Sequence, residues 1–256
     1  METLIILPGW VTKYIGDKEH SIAEYYENIL PFLLFSKKNG KKFDVHIIEF
    51  PGFGQNPQPE NSWQLNDFVE YLNQYIDNLT PHLPHPTVSI LGHSFGGQVA
   101  AKFAELYPEK VKKLVLYNAA CIRENKNSEN LFFNLESFKN IGRIIFARFP
   151  FLRKIFYKIF VRNSDYAKLS AIMQKTMSNV LEEDLTDILP KIKTKTLVLW
   201  GNTDTMTPLN QGLKIKKLLP NAKITIHPGG HSFHLKDPKT FSEYIKNFLA
   251  PTHQNA

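Results

Sequence analysis

Cysteine is almost absent: Cys121 is the only one in 256 residues. No internal disulfide can form, so an apolar core must hold the fold, and a reducing, cytoplasmic setting is expected. Long apolar runs are also missing. Nothing approaches the ~18 residues of a membrane span, and residues 1–10 lack the charged start and cleavage site of a signal peptide. Histidines and carboxylates do not fall at metal-ligand spacings. Gly52-x-Gly54 is not followed by the further glycines or the lysine of a phosphate-binding loop. Neither a metal nor a cofactor is expected. Acid is scarce relative to base, 24 Asp and Glu against 31 Lys and Arg, for a net charge of +7. Nucleic acid is the first partner such a charge suggests, but no nucleic-acid motif accompanies it. No internal repeat or low-complexity segment is found.

What remains is a chain that is 43% hydrophobic, with strand and helix signals alternating along most of it. Short β-branched or aliphatic runs stand at Thr3 to Leu7, Phe43 to Phe50, Thr87 to Leu91, Val111 to Tyr117, Thr196 to Trp200 and Lys223 to His227. Thr3 to Leu7 is continuous rather than alternating, which marks a strand buried on both faces. Helical signals lie between the runs. Ser21 with Glu24 resembles a capping box opening a helix to about Lys38, with Pro31 kinking or dividing it. Ser62 to Leu79 carries Leu65, Phe68, Val69, Leu72 and Ile76 on one face. Further helices are expected over Gln98 to Tyr107, Leu209 to Leu218 and Pro238 to Leu249. This alternation implies βαβ crossovers and a parallel sheet covered by helices on both faces.

The segment the rest serves is Gly92-His93-Ser94-Phe95-Gly96-Gly97. A serine flanked two residues away by glycines, between strand and helix, is a nucleophile-elbow pattern. The tight turn lifts the hydroxyl above the sheet edge, and a Cβ at position 92 or 96 would collide with the turn. The pentapeptide alone arises by chance in roughly one chain in ten of this length, so its partners decide its meaning. A serine hydroxyl needs a base, and the base needs an orienting group. Asp204 follows the Thr196 strand and His231 follows the Lys223 strand. Ser94, Asp204 and His231 thus stand beyond the C-terminal ends of three separate strands. His227, on a strand, and His234, at the start of the next helix, are competitors better suited to packing. His93 cannot fold back onto its neighbour's hydroxyl and is expected beside the strand. Cys121 has no paired base and is expected to be buried filler. The amides of Phe95, at a helix N-terminus, and of Trp10, in the sharp turn Leu7-Pro8-Gly9-Trp10, are candidates for holding an oxyanion.

Alternation stops between residues 121 and 193, which contain no convincing strand. This stretch is expected to be a helical lid inserted into a core made of residues 1–120 and 194–256, on the sheet edge where ligands bind. Between Phe138 and Arg162 it has seven basic residues (Lys139, Arg143, Arg148, Arg153, Lys154, Lys158, Arg162) and no acidic one. Phe151, Leu152, Ile155, Phe156, Ile159 and Phe160 form a helical stripe. Three readings stand: a lid with a solvated basic face, a weak contact with an anionic membrane, or attraction of an acidic carrier. Phe146, Phe149 and Phe156 are the candidate lid residues facing a substrate.

Taken together, these segments resemble the α/β-hydrolase superfamily over nearly the whole chain. The matching pieces include Glu49-Phe50-Pro51-Gly52-Phe53-Gly54, Trp200-Gly201-Asn202-Thr203-Asp204 with Pro208, and Gly229-Gly230-His231 with His234-Leu235, besides the elbow and the Trp10 turn. The likeness is greatest to lidded carboxylesterases, thioesterases and carbon–carbon hydrolases. It implies a serine hydrolase with Ser94 as nucleophile, Asp204 and His231 completing a catalytic triad, and an oxyanion hole at Trp10 and Phe95. The substrate implied is a small-molecule acyl ester or thioester, free or carrier-bound. Two departures stand out. Pro8-Gly9 replaces the family's usual His-Gly, and the chain opens directly on the strand leading to that turn, without the usual antiparallel hairpin. A sheet of six strands, all parallel, is therefore expected. Haloalkane dehalogenases and epoxide hydrolases share the fold but use an aspartate nucleophile, which Ser94 argues against. A rival from another class is a ligand-binding protein that keeps the fold and an idle triad.

Overall fold

The computed structural model describes residues 2–10, 14–15, 18–19, 22–34, 43–83, 85–123 and 169–250. Six strands form the sheet: β1 (Glu2–Leu7), β2 (Phe43–Ile47), β3 (Val88–His93), β4 (Val111–Tyr117), β5 (Thr196–Gly201) and β6 (Ala222–His227). Their order is β2-β1-β3-β4-β5-β6, and every pairing is parallel. The expectation of six parallel strands in an α/β-hydrolase fold is met. One small addition is an antiparallel pair of two-residue strands, Tyr14–Ile15 and Lys18–Glu19, outside the main sheet.

The pattern of burial follows from the layering. All of β3 and β5 is buried, as is β1 after its first residue. The edge strand β6 instead leaves Ile226 45% exposed. The helices are α1 (Ile22–Tyr26), α2 (Leu30–Leu34), α3 (Leu65–Leu79), α4 (Phe95–Leu106), α5 (Ala171–Glu182), α6 (Leu209–Leu218) and α7 (Pro238–Leu249). The chain moves from β1 to β2 in one direction across the sheet and from β2 to β6 in the other. Right-handed crossovers therefore put α1 and α2 on one face, and α3, α4 and α6 on the other. In agreement, α2 packs on α7, and α3 packs on α4.

The helix expected from Ser21 to Lys38 is divided. A 3-10 turn, Glu27–Ile29, separates α1 from α2, and Pro31 sits in the first turn of α2, where its missing N–H costs least. Ser21 and residues 35–42 lie outside the described residues. Glu49, in the segment after β2, takes the first N–H of α1, from Ile22 to its Oε1 at 2.8 Å. The expected stripe of α3 is buried at all five positions.

The reversal of strand order at β1 and β3 creates the crevice. Leu7 is paired with Gly92 at the top of both strands. The turn after β1 and the elbow after β3 therefore leave the sheet side by side.

Of residues 121–193, the structure describes 121–123 and 169–193. Helix α5 lies here and is tied to the core by buried polar contacts. The Arg123 guanidinium donates to the carbonyls of Ala120, Val180 and Leu181 and to Gln98 Oε1, at 2.7–3.2 Å. Gln98 Nε2 in turn donates to the carbonyls of Val180 and Glu183, and Lys102 pairs with Glu183. No helix among the described residues is long and apolar enough to cross a membrane.

Removing the guanidinium would take its donor from the partly buried Ala120 and Leu181 carbonyls and Gln98 Oε1. Arg123→Leu is expected to cost roughly 2–4 kcal/mol of stability, read as a lower urea midpoint. A change within error would mean that α5 is held by packing alone.

Candidate active site

The elbow is built as the glycine spacing requires. Ser94 has φ 52° and ψ −114°, a conformation side-chain-bearing residues rarely adopt. The strain persists because the surroundings leave no alternative. A Cβ on Gly92 would stand 2.4 Å from the Gly96 carbonyl oxygen, and one on Gly96 would stand 2.3 Å from that of Leu7. Gly97 is closed off by Ala119 at 2.4 Å. The Ser94 N–H donates to the Tyr117 carbonyl on β4, and the Ser94 carbonyl accepts from Ala120. Both sides of the turn are thereby fastened to the neighbouring strand.

Asp204 and His231 are brought into direct contact. His231 Nδ1 lies 2.7 Å from Asp204 Oδ2. Asp204 also accepts from Met206 N (2.8 Å), Thr207 N (3.0 Å) and Thr207 Oγ1 (2.7 Å). Burial alone would raise the Asp204 pKa, but the bonds from His231 and Thr207 outweigh it and hold the carboxyl below its ordinary value. An ionised carboxylate only accepts, so Nδ1 carries the hydrogen and Nε2 is left as the basic lone pair. Asn118 holds the base loop in place. Its Nδ2 donates to the His231 carbonyl (2.7 Å) and lies 3.3 Å from that of Gly230. Its Oδ1 accepts from Gly201 at the end of β5.

The elbow reaches the base loop through the residue before Ser94. His93, adjacent in the chain, reaches the His231 carbonyl with Nε2 at 3.0 Å. Catalytic hydrogen bonds to a serine hydroxyl often tighten only with substrate present. The turn after β1 packs on the elbow: a Cβ on Gly9 would lie 3.4 Å from Ser94 Cβ. The rings of Trp10 and Phe95 meet edge to face at 5.2 Å. Among the described residues, neither the Trp10 nor the Phe95 amide is taken by a backbone carbonyl. Beneath them, Phe50, Phe53 and Phe68 form a packed aromatic layer with Phe95.

The competitors are accounted for. His227 stacks on Phe233. His234 lies in a 3-10 turn, Phe233–Leu235, and not at the start of a helix. Its burial pushes its pKa down to about 3. Cys121 is buried, which pushes its thiol up to about 12. Phe146, Phe149, Phe156 and the basic stretch from Phe138 to Arg162 lie outside the described residues. Among the described residues no group of three or more His, Cys, Asp or Glu could hold a metal ion.

A family model described as alpha/beta hydrolase fold matches residues 2–155 and 155–238. The chain belongs to the alpha/beta hydrolase family. Among its relatives is the pimeloyl-[acyl-carrier protein] methyl ester esterase of Wigglesworthia glossinidia brevipalpis, 28% identical over 81% of this chain and 83% of the relative. Another is the 2-hydroxy-6-oxononadienedioate/2-hydroxy-6-oxononatrienedioate hydrolase of Escherichia coli O81, 26% identical over 97% of this chain and 87% of the relative. The solved structure of a meta-cleavage product hydrolase from Pseudomonas fluorescens superposes with a TM-score of 0.67 at 19% identity, covering 97% of this chain and 90% of that one. This last likeness concerns the fold. As a family member the protein is a hydrolase.

Thr207 and Asn118 were not singled out in the sequence. Asp204-Thr205-Met206-Thr207 does carry a signal, an aspartate closing a turn onto amides two and three residues on. Asn118, with φ 44°, fits the tolerance of asparagine for left-handed backbone.

A carboxyl whose pKa is lower when folded stabilises the fold above its unfolded value. It loses that contribution as pH falls through the folded value. Asp204→Asn is therefore expected to unfold at lower urea than wild type near pH 7, with the gap narrowing below about pH 4. An equal gap at about pH 7 and about pH 3 would show that the ionised carboxylate is not what the surrounding donors stabilise.

Proposed function

We propose that this hydrolase cleaves a carboxylic ester or thioester through an acyl-enzyme formed on Ser94. The contact of His231 with a buried, ionised Asp204, on a loop beside the strained Ser94, carries the reading. In this mechanism the free Nε2 of His231 takes the hydroxyl proton as Ser94 Oγ attacks the acyl carbon. Asp204 holds the ring and stabilises the imidazolium. The amides of Trp10 and Phe95 receive the negative oxygen, each such donor being worth about 3 kcal/mol in the transition state. His231 then protonates the departing alcohol or thiol. Water attacks the acyl-enzyme by the same route in reverse, giving the free acid and restoring Ser94.

Residues 121–193 act as the lid in this reading, with Phe146, Phe149 and Phe156 facing the acyl group. The ester-cleaving relative names a carrier-bound substrate, and the basic stretch from Phe138 to Arg162 suits attraction of an acidic carrier. A reducing compartment suits the single buried thiol. A second reading, carbon–carbon bond hydrolysis, is favoured by a relative aligned over 97% of this chain.

A fluorophosphonate probe is expected to label wild type and not Ser94→Ala, and Ser94→Ala should lose at least about a thousandfold in kcat on p-nitrophenyl esters. An unlabelled wild type without turnover would leave the ligand-binding alternative, and a fully active Ser94→Ala would overturn Ser94 as the nucleophile. Methyl esters and thioesters of graded acyl length, run beside 2-hydroxy-6-oxo dienoic acids, separate the two hydrolytic readings.

A further inference from the structure

Two buried polar side chains near Ser94 take no part in the proton transfers above. Tyr26, in the last turn of α1, is wholly buried, and His93 is 2% exposed. Tyr26 Oη lies 3.0 Å from His93 Nδ1 and accepts from the Gly9 N–H at 3.3 Å. His93 Nε2 lies 3.0 Å from the His231 carbonyl oxygen.

The direction of these bonds follows from elementary chemistry. A carbonyl oxygen only accepts, so His93 Nε2 carries a hydrogen. Burial, reinforced by the neighbouring His231 and His234 rings, pushes the His93 pKa well below the ordinary histidine value, so the ring is neutral. His93 Nδ1 is then a bare acceptor, and the Tyr26 hydroxyl must donate to it. This leaves the phenolic oxygen's lone pairs for Gly9. The chain runs one way: Gly9 N–H to Tyr26, Tyr26 O–H to His93, His93 Nε2–H to the His231 carbonyl. Its rings are clamped. Tyr26 stacks on His234 at 5.1 Å and 14°, and His93 on Tyr117 at 4.4 Å and 18°. With Asn118 also donating to it, the His231 carbonyl is fixed by two donors.

The geometry points to Tyr26 and His93 as positioning residues that hold the oxyanion turn and the base loop in one register against Ser94. The chain starts at the residue before Trp10, passes through the residue before Ser94 and ends on the main chain of His231. A shift of either loop stretches the same set of bonds. The inference rests on the roles proposed above for Trp10, Ser94 and His231. Small misplacements of reacting groups cost rate far more than they cost binding.

The test combines kinetics with nitrogen NMR of histidine-labelled protein. In wild type the His93 ring is expected as the neutral Nε2–H tautomer; an Nδ1–H tautomer overturns the chain of bonds. Tyr26→Phe keeps the ring and removes the hydroxyl. It is expected to lower kcat on p-nitrophenyl acetate by about tenfold or more while KM stays within about twofold, at a temperature where circular dichroism shows the variant folded. A role in stability alone would lower the melting temperature and leave the folded variant's kcat at the wild-type value, which overturns the proposal. His93→Gln keeps a donor in reach of the His231 carbonyl and is expected to retain more kcat than His93→Leu. If Tyr26→Phe does not fold, equal activity in these two variants overturns the proposal. Absence of fluorophosphonate labelling at Ser94 in wild type sinks the hydrolase mechanism instead, and the tautomer measurement is unaffected by that outcome.

Discussion

The site depends on one close approach: the start of α4 is driven against the exit of β1. Gly96 leaves no room for a side chain between itself and the carbonyls of Leu7 and Pro8, and Gly92 leaves none against Gly96. The parallel pairing that sets Leu7 beside Gly92 fixes the height at which the two turns leave the sheet. With the turns jammed at that height, Ser94 cannot relax out of its left-handed backbone. The Phe95 amide is the first of its helix and has no carbonyl behind it to satisfy. Strain and an orphan donor thus arise from the same contact. Both are features that chemistry at an acyl carbon can use, and both would be liabilities in a segment that served only packing.

The second constraint is electrostatic. A carboxylate as buried as Asp204, 5% exposed, is tolerable only when its lone pairs are met. Three of the four donors around Asp204 come from the turn immediately after it, and the fourth is His231. His231 and the local turn together offset the cost of burial and hold the carboxylate ionised. The buried imidazoles of His93 and His234 lack any such carboxylate, and their surroundings keep them neutral. One region of the protein therefore holds three histidines in two different electrostatic settings, set by the placement of a single acid.

Much of this could be read before any coordinates. The six strands and the stripe on α3 follow from short apolar runs and helical periodicity, and the parallel sense follows from the alternation of strand and helix, which demands crossovers. Ser94 is legible because only glycine fits at 92 and 96. Asp204 and His231 are legible because strand ends place their loops at one edge. The division of the first helical region is less so. Pro31 signals a break, but the 3-10 turn at Glu27–Ile29 is settled by how Tyr26 and Ile29 bury. Strand β2 ends at Ile47, three residues before the apolar run does, because Phe50 turns down into the aromatic layer with Phe53 and Phe95. Tyr26 has no signature at all. A tyrosine on a short helix becomes a partner of His93 only through a contact 67 residues distant, which no local pattern encodes.

The same electrostatics bears on which bond the enzyme breaks. In the proposed acylation of Ser94 by an ester or thioester, a single proton moves: from Ser94 to His231 and on to the departing oxygen or sulfur. A carbon leaving group is far more basic and needs its charge spread or its carbon protonated as the bond breaks, so a further acid or an electron-withdrawing substrate must supply what the triad does not. Two histidines neighbour His231: His93, with ring centroids 5.0 Å apart, and His234, which feels the charge of His231. Neither has a proton to give: His93 commits its hydrogen to a carbonyl, and burial holds the His234 pKa near 3. On the proposed roles, the described core needs no further acid for acyl transfer to water from an oxygen or sulfur leaving group. For a carbon leaving group, a second acid would have to come from the substrate or from residues outside those described.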